Sequence, residues 1–514
     1  MDRLAHDRRR LRGFVEVAVV EPARVFGQLM RIRFPEANYF IAGSRLRPGM
    51  DGGYTVATLR RAQQFAEHAD VNPVLLTFDF WPDYEQVKDE FVEHGLMSEH
   101  TVVRNLLQDA RADPGFLRSR ATADAAPVVP DDGLTGATDT DSVGRPWRTV
   151  WTDATTGVIS HTDFLDLEGR RMLRVPYLTG RADWHRASIS ITVFAADGAP
   201  CGTLDGFGGL YRAWLHSVFE SSPAGRVNVV VCESRQVGEL VVELPDESMR
   251  LVHTVHSAHI SAPYEWDSPI DGLWASWFGV IDRFDAVVWP TESQRRAVER
   301  RFGPRENFWV VSHAVNVEPA VDPSQRDPNL AVMMGRLVPL KRLDHALAAF
   351  QRVVSGNPLA RMAIFGDGPD EPRLRALAAE LGVDDVVEFR EHQPDAAESL
   401  DEAAVLVLTS TYEGQGLVIL EALAHGCPVV SYDINFGPSD VIVDGVSGIL
   451  VPNGDIDALS DALERLLGDP PRLAELSAGA YASASQNTPE RSMQRMAELF
   501  ERIVPQSRRR PEYR

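Results

Sequence analysis

Arg336 and Lys341 stand five positions apart, directly after the apolar run Leu330–Met334. A guanidinium fork and a compact ammonium placed together past a strand converge on one diphosphate, and neutralise charge that grows on it as a leaving group. Further along, Glu413 and Glu421 flank Gly414-Gln415-Gly416-Leu417. Ala404–Thr409 reads as a buried strand, Leu417–Ala424 as a helix that stops at Gly426, and Pro428–Tyr432 as a second strand. Strand, glycine turn and helix start aim free backbone N–H groups at an anion, and the helix dipole adds positive charge. A carboxylate beside such a site is repulsive unless it binds something else, such as sugar hydroxyls. Anion donors with hydroxyl-accepting carboxylates therefore point to a nucleotide-sugar site. Gly366-Asp367-Gly368, after the run Met362–Phe365, is a turn that admits close backbone approach.

The first half offers histidines. His253, His256 and His259 close the apolar run that begins at Met249. A histidine at a strand end facing a cleft holds a substrate oxygen or moves a proton. A three-residue period there does not gather three rings, and no carboxylate partner is evident, so no metal site is read. Nearer the N-terminus, the strand Asn38–Gly43 runs into a loop with Gly49, Gly52 and Gly53, then a helix from about Val56 to His68. The loop is not G-x-G-x-x-G, and no acidic residue stands where one would hold a ribose, so a nicotinamide site is unsupported. A tight turn and a glycine loop facing a cleft both fit it.

The elements that position these residues alternate strand and helix, which argues for an α/β fold of two Rossmann-like halves with a cleft at the carboxyl ends of their strands. The alternation breaks at about 113–205. Asp113–Pro146, rich in Ala, Asp, Thr, Gly and Pro, reads as a flexible surface segment, and its Asp139-Thr140-Asp141 as a solvated acidic loop. Trp147–Thr203 alternates in short runs, as an antiparallel β insertion does. The expected division is an N-terminal arm (1–37), an acceptor-side domain (38–312), a nucleotide-sugar domain (313–488), and a C-terminal helix with a basic tail (489–514). The helix, about Pro489–Ile503, is expected to pack back onto the first half.

Composition narrows the classes. The 514 residues are 44% hydrophobic and 25% charged, with a net charge of −22. That charge argues against nucleic acid as a partner but not against a small anion held by local cations. No run approaches the roughly eighteen apolar residues of a membrane span. The basic Met1–Arg12 precedes only the short Phe14–Val20 run, which contains Glu16 and no small-residue cleavage site, so no signal peptide is read. Cys201, Cys232 and Cys427 are scattered without metal spacing, as in a reduced cytoplasm. Arg8–Arg10 and Arg508–Arg510 read as solvated tails, with contact to anionic lipid at the inner membrane face as the alternative.

Taken in order, Gly335–Lys341, Gly366–Gly368 and Glu413–Glu421 resemble the retaining glycosyltransferases of family 4, which have the GT-B fold and need no metal. The resemblance spans about Asn38–Asp457 outside the insertion. Tyr432-Asp433 with Phe436-Gly437-Pro438-Ser439-Asp440, and an insertion in the first domain, resemble a narrower group. Its members add α-linked glucose or N-acetylglucosamine to poly(polyol-phosphate) teichoic acids or serine-rich proteins, and often oligomerise through that insertion. The resemblance implies that Arg336 and Lys341 bind the donor diphosphate, that Glu413 meets the sugar hydroxyls and reacting face, and that Glu421 holds the ribose. Gly335, Gly366, Gly414, Gln415, Gly416 and Leu417 line the sugar and phosphates, and Gly52 and Gly53 match the first-domain loop. His256 is the best match to the family's cleft histidine, with His253 second. Gln415 stands where the family usually has an aromatic residue, which bears on sugar choice.

The implied function is transfer of a hexose or N-acetylhexosamine, without a cofactor, from a nucleotide sugar such as UDP-glucose or UDP-N-acetylglucosamine. The acceptor is a hydroxyl of a cell-wall polymer, glycolipid or protein, and the implied setting is the cytoplasm. Two competing readings are a non-catalytic acceptor-binding partner subunit and a GT-B sugar-nucleotide epimerase.

Overall fold

The computed structural model describes residues 32–48, 53–122, 131–178, 184–244, 246–391 and 396–506. The tails with their arginine clusters, and Gly52, lie outside these residues. The strands in chain order are β1 (Ala37–Gly43), β2 (Val74–Thr77), β3 (Val103–Asn105), β4 (Leu134–Thr140), β5 (Pro146–Asp153), β6 (Ile159–Leu165), β7 (Arg171–Pro176), β8 (Ser190–Phe194), β9 (Pro200–Asp205), β10 (Val227–Cys232), β11 (Met249–Thr254), β12 (Ala286–Trp289) and β13 (Phe308–Val310). They continue with β14 (Asp327–Met334), β15 (Arg361–Phe365), β16 (Val387–Arg390), β17 (Ala403–Leu408), β18 (Val429–Asp433) and β19 (Gly448–Pro452).

Three sheets result. The first has the order β13-β12-β11-β10-β1-β2-β3, the second β16-β15-β14-β17-β18-β19, and the third β4-β5-β6-β7-β8-β9. The first two are parallel throughout and the third antiparallel. Strands such as β17, Ala-Ala-Val-Leu-Val-Leu, are buried at every position, because helices cover both faces of a parallel sheet. Two Rossmann-like sheets with an antiparallel insertion in the first half make the GT-B fold.

The insertion is not an appendage. Trp147, Phe164, Leu173, Ile191 and Val193 share one core with Phe40, Leu76 and Phe78 of the first half and with Leu210 and Trp214 of the helix Gly206–Glu220. Phe80 stacks on Phe164 at 4.5 Å. The stretch expected to be a flexible surface segment contains the helix Gly115–Arg120 and β4. Asp141 is buried there, not solvated: Arg111 donates to it at 3.1 Å and Arg145 at 3.1 Å. Hydrogen bonds from both arginines and from the Arg145 backbone more than offset burial and hold its carboxyl below the usual range. A small, polar composition reads as loop until a distant arginine supplies the missing charge.

The helix Pro489–Ile503 packs back as expected. Phe500 meets Phe34 and Phe65 at 4.9 and 5.9 Å, and the Ile503 carbonyl accepts from Arg250 of β11 at 2.9 Å. Among the described residues, no helix is long and apolar enough to cross a membrane.

Candidate functional site

Three loops at strand ends build the second-half wall. The loop after β14 carries Gly335, Arg336 and Lys341; the one after β15 carries Gly366–Gly368; the one after β17 carries Glu413. Their packing dictates glycine. A Cβ on Gly366 would lie 2.0 Å from the Gly335 carbonyl oxygen, and one on Gly368 2.2 Å from that of Leu337. Gly366 also has φ +139°, which other residues rarely adopt. The close approach these glycines allow is therefore to the Gly335–Leu337 backbone, which they buttress from behind. Leu337 N–H donates to the Asp367 carbonyl at 2.8 Å, closing the stack.

Lys341 is held in the same manner. Its carbonyl accepts from Thr409 Oγ1 at 2.7 Å. The next residue, Arg342, adopts φ +47° and donates to the Thr409 and Ser410 carbonyls at 2.8 and 2.6 Å, while its guanidinium lies 4.8 Å from the Tyr432 ring. Lys341 Nζ then donates to Glu413 Oε1 at 2.6 Å, and Ser410 Oγ donates to the same oxygen at 2.6 Å. Arg336 is exposed, has no ion pair with a described residue, and lines one pocket with Gly335, Lys341, Thr409 and Ser410. Its guanidinium thus adds a second cation beside Lys341 at this rim.

The helix Leu417–Ala424 starts at Gly416, whose φ of +84° turns the chain from loop to helix. It faces the helix Gly53–Ala69 of the first half: a Cβ on Gly53 would lie 3.6 Å from Leu417 Cδ1. Two helix N-termini thereby meet across the cleft, and each end carries partial positive charge. Glu421, one turn in, accepts from Arg60 Nη2 at 2.8 Å. Gln415 is buried, and its Oε1 accepts from the backbone N–H of His313 at 2.8 Å, so its side chain turns to the linker between the halves.

His256 faces this wall. A Cβ on Gly414 would lie 2.2 Å from the His256 carbonyl oxygen, so only glycine lets the halves meet there. The carboxylate partner that spacing did not reveal is Glu233, just past β10. His256 Nε2 lies 2.5 Å from Glu233 Oε2, and Arg61 Nε donates to Glu233 Oε1 at 2.6 Å. Burial alone would raise the Glu233 carboxyl; Arg61 and the hydrogen bond with His256 reverse that and leave it lowered to about 2. Residues 61, 233 and 256 share no local motif, so only the register of β1, β10 and β11 unites them.

His253 does not face the cleft. It is fully buried against Trp277 and Phe284, at 5.0 and 5.2 Å, and burial lowers it to about 3. It lies within β11, where alternation turns it to the core. His259 is buried too. It stacks on Phe436 at 5.7 Å and lies 3.2 Å from Gln294 Nε2. The Phe436–Asp440 motif thus serves contact between halves: Phe436 plugs a cluster of Ala258, Ile260 and Ala297, and Asp440 accepts from the Ser293 N–H at 2.9 Å.

Among the described residues, Asp131, His161 and Asp163 are a group whose potential metal-ligand atoms lie within 4.8 Å of one another. Arg174 donates to both carboxylates at 2.7 Å, and Arg171 lies 2.9 Å from Asp163, so guanidinium groups already neutralise them.

Known proteins match the chain over part of its length and in its fold. Residues 316–483, the span that holds Gly335–Lys341, Gly366–Gly368 and Glu413–Glu421, match the family described as glycosyl transferases group 1. The chain is 29% identical over 235 residues to a poly(glycerol-phosphate) alpha-glucosyltransferase of Bacillus subtilis, covering 45% of this chain and 34% of that one. It is 39% identical over 175 residues to an exopolysaccharide phosphotransferase of Streptomyces coelicolor, covering 34% of this chain and 18% of that one. The matches thus span about a third or less of these relatives' own lengths. In structure it is similar to S. aureus TarM, solved with fondaparinux, alpha-GlcNAc-glycerol and UDP, with TM-score 0.68 and 18% identity over 90% of this chain and 100% of that one.

Proposed function

We propose that the protein is a retaining glycosyltransferase of family 4 that moves a hexose or N-acetylhexosamine from a UDP-sugar to an acceptor hydroxyl. The observation that carries this reading is the contact of Lys341 with Glu413 at 2.6 Å at the end of β14 and β17, beside Arg336, which has no ion pair with a described residue. Arg336 and Lys341 neutralise the departing diphosphate. Glu413 orients the sugar hydroxyls, Glu421 takes the ribose, and the backbone of Gly414–Leu417 lines the sugar. His256 closes the pocket from the first half. The leaving phosphate takes the proton of the acceptor hydroxyl on the same face, which preserves the anomeric configuration. No metal or other cofactor enters this scheme.

The acceptor belongs to a cell-wall polymer, glycolipid or protein, and the reaction takes place in the cytoplasm. The 38–312 half serves the acceptor and the 313–488 half the donor. Copies of the chain assemble through the β insertion, which light scattering reads as a multiple of the chain mass; a single-chain mass sinks that part.

The test of the activity is a donor screen. UDP-, GDP- and ADP-sugars are incubated with the protein, and the anomer first released is read by proton NMR. Release of the α-anomer from a UDP-sugar is expected. Hydrolysis of none of them, or first release of the β-anomer, removes the reading.

A further inference from the structure

We propose that Glu233, braced by Arg61, is a positioning residue: it accepts the Nε2 proton of His256 and so keeps Nδ1 as a free acceptor for a hydroxyl of the bound sugar. The proposal rests on the transferase reading for its ligand, but its geometry stands apart from it.

Glu233 is fully buried, and both its oxygens are engaged, Oε1 by Arg61 at 2.6 Å and Oε2 by His256 at 2.5 Å. An isolated buried ion pair is a poor stabiliser, because desolvation consumes most of its attraction. A buried carboxylate that turns one oxygen to an arginine and the other to a cleft imidazole has a different use. It selects which ring nitrogen carries the proton. With Nε2–H committed, Nδ1 is the ring atom left over. It has no hydrogen bond to a described residue and is not among the buried unpartnered atoms, and the His256 side chain keeps 14% exposure.

Two rings flank the imidazole. The Tyr54 ring stands edge-on to it at 5.4 Å, and the His313 ring stacks on its face at 5.5 Å and 22°. Tyr54 is itself fixed, its hydroxyl accepting from the Ser44 N–H at 3.0 Å. His313 is tied to Gln415 through its backbone. Burial keeps His313 uncharged, so it adds no positive charge beside the ring. The charged and titratable groups around His256 are then Glu233 in direct reach, Arg61 on the far oxygen of Glu233, and His253, His313, Tyr54 and Arg60 around them. Glu233 is the anion among them, and it favours a proton on the ring at Nε2.

The experiment reads the ring and the reaction separately. Imidazole nitrogen NMR spectra are recorded on the full, histidine-labelled chain without donor, His256→Asn supplying the assignment. The native protein is expected to show the Nε2–H tautomer. Glu233→Gln combined with Arg61→Met removes both charges together, so no lone buried ion remains. In it the Nδ1–H tautomer appears. Hydrolysis of UDP-glucose or UDP-N-acetylglucosamine is expected to fall about tenfold or more in kcat, with donor KM within about threefold. If the pair does not fold, Glu233→Asp keeps the charge, withdraws it from Nε2, and is expected to show the same tautomer change. An unchanged His256 spectrum in the folded variant overturns the proposal. Changed spectra in a protein that hydrolyses neither sugar nucleotide leave Glu233 as the positioning residue and overturn the transferase reading.

Discussion

The two walls of the cleft are built on opposite plans. The second-half wall is made of backbone: glycine loops stacked on glycine loops, with Lys341 and Glu413 at their rims, partly open to solvent. The first-half wall is made of side chains: Glu233 and Arg61 are buried, and His256 is clamped between two rings. On the proposed reading, backbone loops give a place for phosphates and hydroxyls, with direct charges at the rim. A buried side-chain network fixes the orientation of one imidazole. Loss of a rim charge should therefore act on turnover, and loss of a loop glycine on the fold.

The largest effect is expected at the rim. Lys341→Ala removes the ammonium from the diphosphate, and Glu413→Ala removes its partner from the sugar. Each is expected to lower kcat by about 10²–10³-fold, the usual loss when one preorganised charge is deleted. The thermal transition should stay in place, since both groups are partly exposed. Turnover near the native rate in either variant breaks the assignment of this wall.

Gly366→Ala probes the backbone plan itself. Its Cβ would overlap the Gly335 carbonyl at 2.0 Å in a conformation that side chains rarely adopt. A loss of about 3 kcal/mol in folding stability is expected from overlap and strain together, read by denaturant unfolding. A variant as stable as the native chain would mean that the two loops are not stacked.

The same contrast explains what the sequence made legible. Glu413, Gly414, Gly416 and Glu421 lie within one strand–turn–helix unit, so spacing alone conveys their arrangement, and the helix Leu417–Ala424 was readable to the residue. Arg61, Glu233 and His256 come from a helix and two strand ends far apart in the chain. Their meeting depends on the pairing of β1 with β10 and of β10 with β11, which no local pattern encodes. His253 shows the reverse failure. Its position at the end of an apolar run suggested a cleft residue, but the strand continues through it and buries it between Trp277 and Phe284. Gly366 was legible as a tight approach, though not as an approach to Gly335. Asp141 looked solvated because Arg111, which neutralises it, lies on another element.

His253 also sharpens the buried side of the comparison. Burial lowers it from 6.5 to about 3, so the folded protein keeps it neutral where the unfolded chain binds a proton. Between those values the unfolded state holds more protons, and stability is present above pH 6.5 and lost as pH falls toward 3. His253→Leu removes this contribution and is expected to flatten the acid limb by up to about 1.4 kcal/mol per pH unit. Glu233 falls in a lower window. Its stabilisation is present above its unfolded value of 4.5 and is lost as pH falls toward 2. Denaturant unfolding at pH 7, 6 and 5 separates the two, and an unchanged slope in His253→Leu refutes the buried, neutral ring.

Arg60 joins the two walls and gives the smallest effect. Its pair with Glu421 at 2.8 Å is partly exposed, with side chains 37% and 25% open, so it is worth no more than about 1 kcal/mol. If Glu421 takes the ribose, Arg60 competes with the nucleotide for that carboxylate. Arg60→Met then frees the carboxylate, and UDP binding is expected to tighten by up to about fivefold, since 1.4 kcal/mol corresponds to tenfold. Glu421→Gln loses the ribose contact and should weaken it. The sign carries the information. Tighter binding in Arg60→Met makes the first-half arginine a competitor for the second-half carboxylate. Weaker binding makes it a ligand for the nucleotide, and the donor site would then draw charge from both halves. Calorimetric titration with UDP decides between these without any turnover.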